Sequence, residues 1–290
     1  MIMRNLFLLC LFIIAFPVTL KAQGAKLGLN AIGTKEIDAG AIRIYYNYHR
    51  IDSTLHLEET YDIYDIQCLE IGNRLSKYYS YAVFHNDSIS KVWLINNPTA
   101  HNPPYGWMSD IIHGSSGWSE YKWSVSFKDF STNQLTEYTK MAVGIAVDYW
   151  YSENIPTQNW DIYDDTMTIV GYFCQKATCH FRGRDFTAWF TPEIPINNGP
   201  WKFGGLPGLI MKVYDKDEIF IYECVKIEQK DYKIYTPDFS KYKKIDRINL
   251  LKLNKDIHED WYKTANMINF ETRAPSSSKS KYKYRPLELE

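Results

Sequence analysis

Between Ala41 and Ile71 apolar and polar side chains alternate with a period of two, as in Ile42-Arg43-Ile44-Tyr45-Tyr46 and Tyr61-Asp62-Ile63-Tyr64-Asp65-Ile66. Successive side chains of a strand point to opposite faces, so this period specifies half-buried strands and conflicts with the 3.6-residue stripe of a helix. It predicts strands from Ala41 to about His56, from Thr60 to Ile71 and from Tyr78 to His85, with Asp52-Ser53 and Gly72-Asn73 as breaks. The same character returns at Met141–Tyr151 and Thr166–Phe181. Arg182-Gly183-Arg184-Asp185 reads as a hairpin connection into Phe186–Phe190, and Leu209–Tyr214 pairs naturally with Ile219–Ile227 across Asp215-Lys216-Asp217. With 23 Tyr, 14 Phe and 9 Trp in 290 residues, the composition favours amphipathic strands over Ala- and Leu-rich helices.

The expected class is mainly β, or β-rich α+β: a curved antiparallel sheet or open half-barrel. Tryptophans, prolines and glycines crowd between about residues 86 and 133, which reads as an irregular insertion or lid. The lysine-rich stretch from Asp238 to Lys263 is a candidate C-terminal helix. Residues 272–290 read as a flexible arm, so the expectation is one β-rich domain over 23–271.

Residues 1–22 carry Arg4, an apolar run from Leu6 to Val18 and Leu20-Lys21-Ala22 before Gln23. That run is shorter than the roughly 20 residues a spanning helix needs, so it reads as a secretory signal peptide, with no transmembrane segment after cleavage. Leu9 before Cys10 argues against lipidation. Loss of Arg4 and Lys21 takes 33 basic residues to 31 against 34 acidic ones, a mildly acidic mature chain that gives no reason to expect a nucleic-acid partner. The expected location is the periplasm or cell envelope, or outside the cell.

Cys68, Cys174, Cys179 and Cys224 are disulfide candidates in such a compartment. Cys174 and Cys179 lie roughly 16 Å apart in an extended strand, too far to bridge each other, so each is expected to pair with Cys68 or Cys224 or to stay buried and free. Cys174, Cys179 and His180 lack metal-ligand spacing, so neither a metal nor a cofactor is expected. Asp110 with His113, His180 beside Arg182 and Arg184, and the Asp161, Asp164, Asp165 cluster are acid–base residues without a diagnostic catalytic motif.

The segment Ile194–Ile210 holds three prolines, four glycines and two large aromatics. Leu206-Pro207-Gly208-Leu209 fits a type II turn with Gly208 at the positive-φ position. This stiff elbow runs into a strand and not into a helix, so it is no phosphate cradle. Trp201 and Phe203, with Gly204, Gly205, Pro207, Gly208 and nearby Trp189, are candidates for a rigid contact patch; the alternative is that the two rings plug one end of the sheet.

Gly204-Gly205-Leu206-Pro207-Gly208-Leu209-Ile210 resembles the motif of the GLPGLI family, exported proteins of Bacteroidota-type bacteria. The resemblance extends to Gly171–Thr178, Phe181–Arg184, Ala188–Thr191, Glu193–Ile196 and Gly199–Phe203, and spans about residues 160–228. It implies export and a shared β-rich fold and assigns no activity. It also draws attention to Asp52-Ser53-Thr54, Asp87-Ser88-Ile89 and Asp165-Thr166-Met167 as O-glycosylation motifs with acceptors Ser53, Ser88 and Thr166. The strand, Leu-Pro, strand arrangement is similar to that of half-barrel lipoprotein carriers of the envelope. The functional expectation is a non-catalytic envelope protein that binds an apolar or peptide-like ligand or docks on an outer-membrane or other envelope protein. The alternative is a secreted or periplasmic hydrolase using carboxylates in a cleft.

Overall fold

The computed structural model describes residues 35–52, 61–100, 118–142, 145–260, 263–264 and 284–290. The signal-peptide reading, Ser53, Asp110, His113 and most of the proposed C-terminal arm lie outside these residues.

Among the described residues, one open 12-stranded sheet organises the chain. Its strands are β1 (Lys35–Asp52), β2 (Tyr61–Gly72), β3 (Leu75–Ser80), β4 (Ser124–Asp129), β5 (Gln134–Thr139), β6 (Tyr149–Asn154), β7 (Asp161–Ile169), β8 (Tyr172–Phe181), β9 (Arg184–Thr191), β10 (Leu209–Asp215), β11 (Phe220–Thr236) and β12 (Lys243–Lys244). Their spatial order is β12-β6-β5-β4-β3-β2-β1-β11-β10-β9-β8-β7. Only the short β12·β6 pair is parallel. The expected antiparallel sheet is therefore present, and β8 to β11 are four consecutive antiparallel neighbours. Val170-Gly171 and Arg182-Gly183 all have positive φ (51°, 83°, 51° and 75°), the signature of tight two-residue hairpins. The first of these splits the single run read over Thr166–Phe181 into β7 and β8.

Alternation decides which face each side chain takes. Ile42, Ile44, Tyr46, Tyr48 and Arg50 of β1 are buried, while the residues between them are partly exposed. The first four join Leu69, Phe186, Phe190, Val213 and Tyr222 in the main core. At the far end of the same face, helix α2 (Arg247–Glu259) places Leu250 and Ile257 over Leu135 and Tyr151. On the opposite face helix α1 (Tyr81–Asn96) covers Cys68, Tyr79 and Val125 with Val83 and Phe84.

Four readings of the sequence need correction. The strand expected over Tyr78–His85 stops at Ser80, whose Oγ accepts the Val83 N–H at 3.1 Å and caps α1. The stretch 86–133 is accordingly not an irregular excursion throughout: it holds most of α1 and all of β4, which pairs with β3 and β5. The run Met141–Tyr151 is strand only from Tyr149, and Met141 donates its N–H to the Asp148 carboxylate at 3.0 Å. Tyr284, Leu287 and Glu288 of the supposed arm are buried, and Leu289 donates its N–H to the Arg182 carbonyl at 3.0 Å. Leu287 is fully enclosed in the main core.

Truncating Leu287 to Ala should cost about 2–5 kcal/mol of unfolding free energy through the cavity it leaves. Urea unfolding checks this; a change below about 0.5 kcal/mol would mean the last residues lie loose.

Candidate functional site

The elbow between β9 and β10 is held from several directions. Leu209 donates its N–H to Ile194 O at 2.9 Å and Ile210 to Asn198 O at 3.0 Å. Gln158 and Trp160, which precede β7, reach in from the side: the Gln158 carboxamide oxygen accepts from Gly204 N at 3.0 Å, and Trp160 Nε1 donates to Gly204 O at 2.7 Å. Lys128 comes across from β4, its Nζ donating to Asn198 Oδ1 at 3.0 Å and to Phe203 O at 2.5 Å.

The expected type II turn is absent. Positive φ falls on Trp201 (50°) and Gly205 (87°), not on Gly208. Gly208 is required for a different reason: a Cβ there would stand 2.1 Å from the Thr191 carbonyl oxygen. Phe203 is wholly buried and Trp201 nearly so, in edge-on contact with each other at 5.1 Å and with Phe186 and Phe181 respectively. The two rings are buried in the main core, in keeping with the alternative that they plug the sheet. Of the other candidates, Gly205 and Pro207 are exposed, Gly204 and Trp189 are half-buried, and Gly208 is buried.

Charged groups converge beneath the elbow. Lys202 Nζ contacts Glu288 and lies 3.8 Å from Glu137; Arg247 bonds Glu288 at 2.6 Å, and Arg182 bonds Glu153 at 2.7 Å. Three cations thus face three carboxylates. Beside them burial would raise the Glu120 carboxyl, but His258 at 2.9 Å, Arg50 and the Tyr284 hydroxyl outweigh it and hold the group down at about 2. The cavity that Glu120, Glu137, Tyr151, Arg247 and Glu288 help to line is about 20 Å³, room for about one water molecule. This arrangement can fasten the C-terminal segment to the sheet and has no space for a substrate.

Cys68, Cys174, Cys179 and Cys224 are free and buried, the alternative to bridging that the sequence leaves open. Cys68 lies on the α1 side of the sheet, whereas Cys174, Cys179 and Cys224 belong to the main core. Burial pushes their thiols up to about 12, 11, 12 and 12 in chain order, which makes them poor nucleophiles. His180 and Asp185 form an exposed pair at 2.7 Å, while Arg184 turns away to Asp215 and the Pro286 and Leu287 carbonyls. Asp161, Asp164 and Asp165 lie exposed on β7. Among the described residues no group of three or more His, Cys, Asp or Glu side chains could hold a metal ion. Ser88 Oγ is tied to Phe84 O at 2.9 Å within α1, while Thr166 is exposed on β7.

An open groove of about 550 Å³ lies beside the elbow, lined by Ala41, Ile42, Glu193–Ile196 and Gln229–Asp231. Its walls are set by irregularities in the ladder. β1 and β11 step from Gly40↔Tyr232 to Ile42↔Gln229, so Lys230 and Asp231 bulge opposite Ala41. Ile194, Pro195 and Ile196 form the facing wall. The groove is shallow and largely open to solvent, and its lining combines an aliphatic floor with a charged rim of Glu193, Lys230 and Asp231. None of the binding candidates read from the sequence lines this groove; the signal on its β11 side is the loss of alternation after Ile227, where Glu228-Gln229-Lys230-Asp231 interrupts a strand that continues to Thr236.

Residues 182–212 match the family model described as a protein of unknown function (Porph_ging). No curated protein matches the chain. Two crystal structures of PNGF-II, in the P21 and C2 space groups, are similar at 14% identity over 77% of this chain and 34% of theirs, with TM-scores of 0.43 and 0.42. The chain thus spans about a third of the length of the solved chains it matches. Among the described residues no helix is long and apolar enough to cross a membrane, which leaves β-barrel spans unaddressed.

Two outcomes test the elbow. Phe203→Ala should cost about 3–5 kcal/mol in chemical unfolding, as for a core ring; a loss under about 1 kcal/mol would mark a surface ring. Burial alone pushes the Lys128 ammonium down to about 7 from 10.5. Between those values the unfolded chain binds more protons than the folded one, so stability rises with pH across about 7 to 10.5 and is flat below. The stability of wild type relative to Lys128→Met should therefore grow by a few kcal/mol from pH 7 to pH 10. A pH-independent difference would show that Lys128 is solvated.

Proposed function

We propose that this chain is an exported, non-catalytic binding protein of the GLPGLI type, acting in the periplasm or cell envelope, and that the groove beside the elbow is its binding surface. The groove carries this reading: it is an aliphatic-floored opening to solvent, whereas the convergent acid–base groups are neutralised around a space for one water. Paired carboxylates such as Glu137 and Glu288 share Lys202 and sit away from open solvent, which disfavours the hydrolase alternative. Export accords with the apolar leader and with the resemblance carried by the elbow. The occupant that fits is apolar or peptide-like, presented by an envelope protein or free. Thr166, exposed on a sheet edge, is the best placed of the O-glycosylation candidates.

Titration with the apolar fluorophore N-phenyl-1-naphthylamine tests the groove. Saturable binding is expected in wild type, weakened about tenfold in Ala41→Trp, which fills the opening from an exposed bulge, with the melting temperature unchanged. Absence of saturable binding, or equal binding by the variant, would remove the groove from consideration.

A further inference from the structure

β11 has 17 residues and its neighbour β10 has 7. The two pair only along Lys212–Tyr214 opposite Ile221–Glu223. β10 steps irregularly against β9 between Ile210 and Lys212, and the Ile210 N–H is taken by Asn198 O. The β10·β11 pairing ends at Lys212, while β11 continues to Thr236 paired on one side to β1. Among the described residues no strand pairs with the other side of β11 beyond Glu223. Val225, Lys226, Gln229, Lys230 and Asp231 are exposed along it.

A strand edge presents alternating N–H and C=O groups whose natural complement is another extended backbone. Here the edge has a side-chain receptacle as well. Gln229 sits opposite Ile42 and Ile227 opposite Ile44, so these side chains share the core face, and the Ile194–Ile196 wall stands across the groove from them. A strand laid along β11 would turn every second side chain toward that aliphatic lining and the intervening ones toward the opposite face. The other long free edge, β7, lacks this: it is exposed on both faces and is interrupted between Ile162 and Thr166, where Asp164 and Asp165 lie. Bulges at Val225 and at Lys230–Asp231 leave a regular run only from Lys226 to Gln229. Such a short run suits a peptide segment and is too small for a second copy of the chain, since a stable dimer needs roughly 800 Å² from each partner.

We propose that the free edge of β11 from Val225 to Asp231 receives an extended peptide as an added strand, with alternate side chains of that peptide entering the groove. This rests on the groove reading above and gives its occupant a chemistry: an extended segment of a partner polypeptide, recognised by its backbone along β11 and by small-to-medium aliphatic side chains against Ile42, Ile194 and Ile196.

The test uses random 12-residue peptides displayed on phage and selected on the full-length protein, followed by synthesis of the most enriched sequence with a single N-methyl group at each position in turn. Fluorescence anisotropy should show about tenfold or greater weakening for N-methylation at alternate residues and little change at the intervening ones, with Ala41→Trp also weakening binding. The outward amides from Val225 to Asp231 should gain hydrogen-exchange protection on binding. Enriched peptides whose affinity ignores the position of N-methylation would overturn strand addition. Enrichment of no peptide, alongside saturable naphthylamine binding, would overturn the peptide assignment and leave the groove standing as an apolar site. Loss of both would sink the groove reading itself. Concentration-dependent dimerisation, abolished by Gln229→Pro, would assign the edge to a second copy and contradict the proposal.

Discussion

An open sheet cannot cover its own apolar face, and in this chain that single constraint organises the rest. Closed barrels bury such a face against themselves; here Ile44, Tyr46, Phe186, Phe190 and Tyr222 must be sheltered by something outside the ladder. The shelter comes from the elbow after β9, which inserts Trp201 and Phe203, and from the last residues, which insert Leu287. Both inserts bring polar backbone and charge into the core, and each is compensated. Lys128, Gln158 and Trp160 satisfy the elbow's carbonyl and amide groups, and Lys202, Arg182 and Arg247 meet the glutamates around the C-terminal segment.

The elbow shapes its surroundings as well as filling space. Its Asn198 takes the Ile210 N–H, the β10·β11 pairing ends at Lys212, and a length of strand edge is left beside an aliphatic wall. The same loop that completes the core thus also borders an opening beside it.

Much of the fold was legible because strand alternation is a local property. The even-numbered residues of β1 announce their buried face, and Arg182-Gly183 announces a hairpin, without reference to anything distant in the sequence. The failures share a different origin. Ser80 ends one alternating run by capping a helix, a choice made by one hydroxyl and by the apolar face that α1 finds on β2 to β4. Pro207-Gly208 resembles a turn signal, yet Gly208 is demanded by the nearness of Thr191, which only the folded β9–β10 pair supplies. The tail reads as polar and loose because its partners, Arg182, Arg184, Lys202 and Arg247, lie far from it in sequence. The groove was not visible for the same reason: its walls come from distant segments, and the bulge of Lys230 and Asp231 exists only relative to Ala41.

Residue-resolved hydrogen exchange on the unliganded protein tests most directly whether the elbow is locked into the core while the neighbouring edge stays open. The account predicts that the Phe203, Gly204, Leu209 and Ile210 amides exchange as slowly as Tyr222 in the middle of the sheet, while outward amides between Val225 and Asp231 exchange orders of magnitude faster. Fast exchange throughout the elbow, or uniform protection along β11, would contradict it.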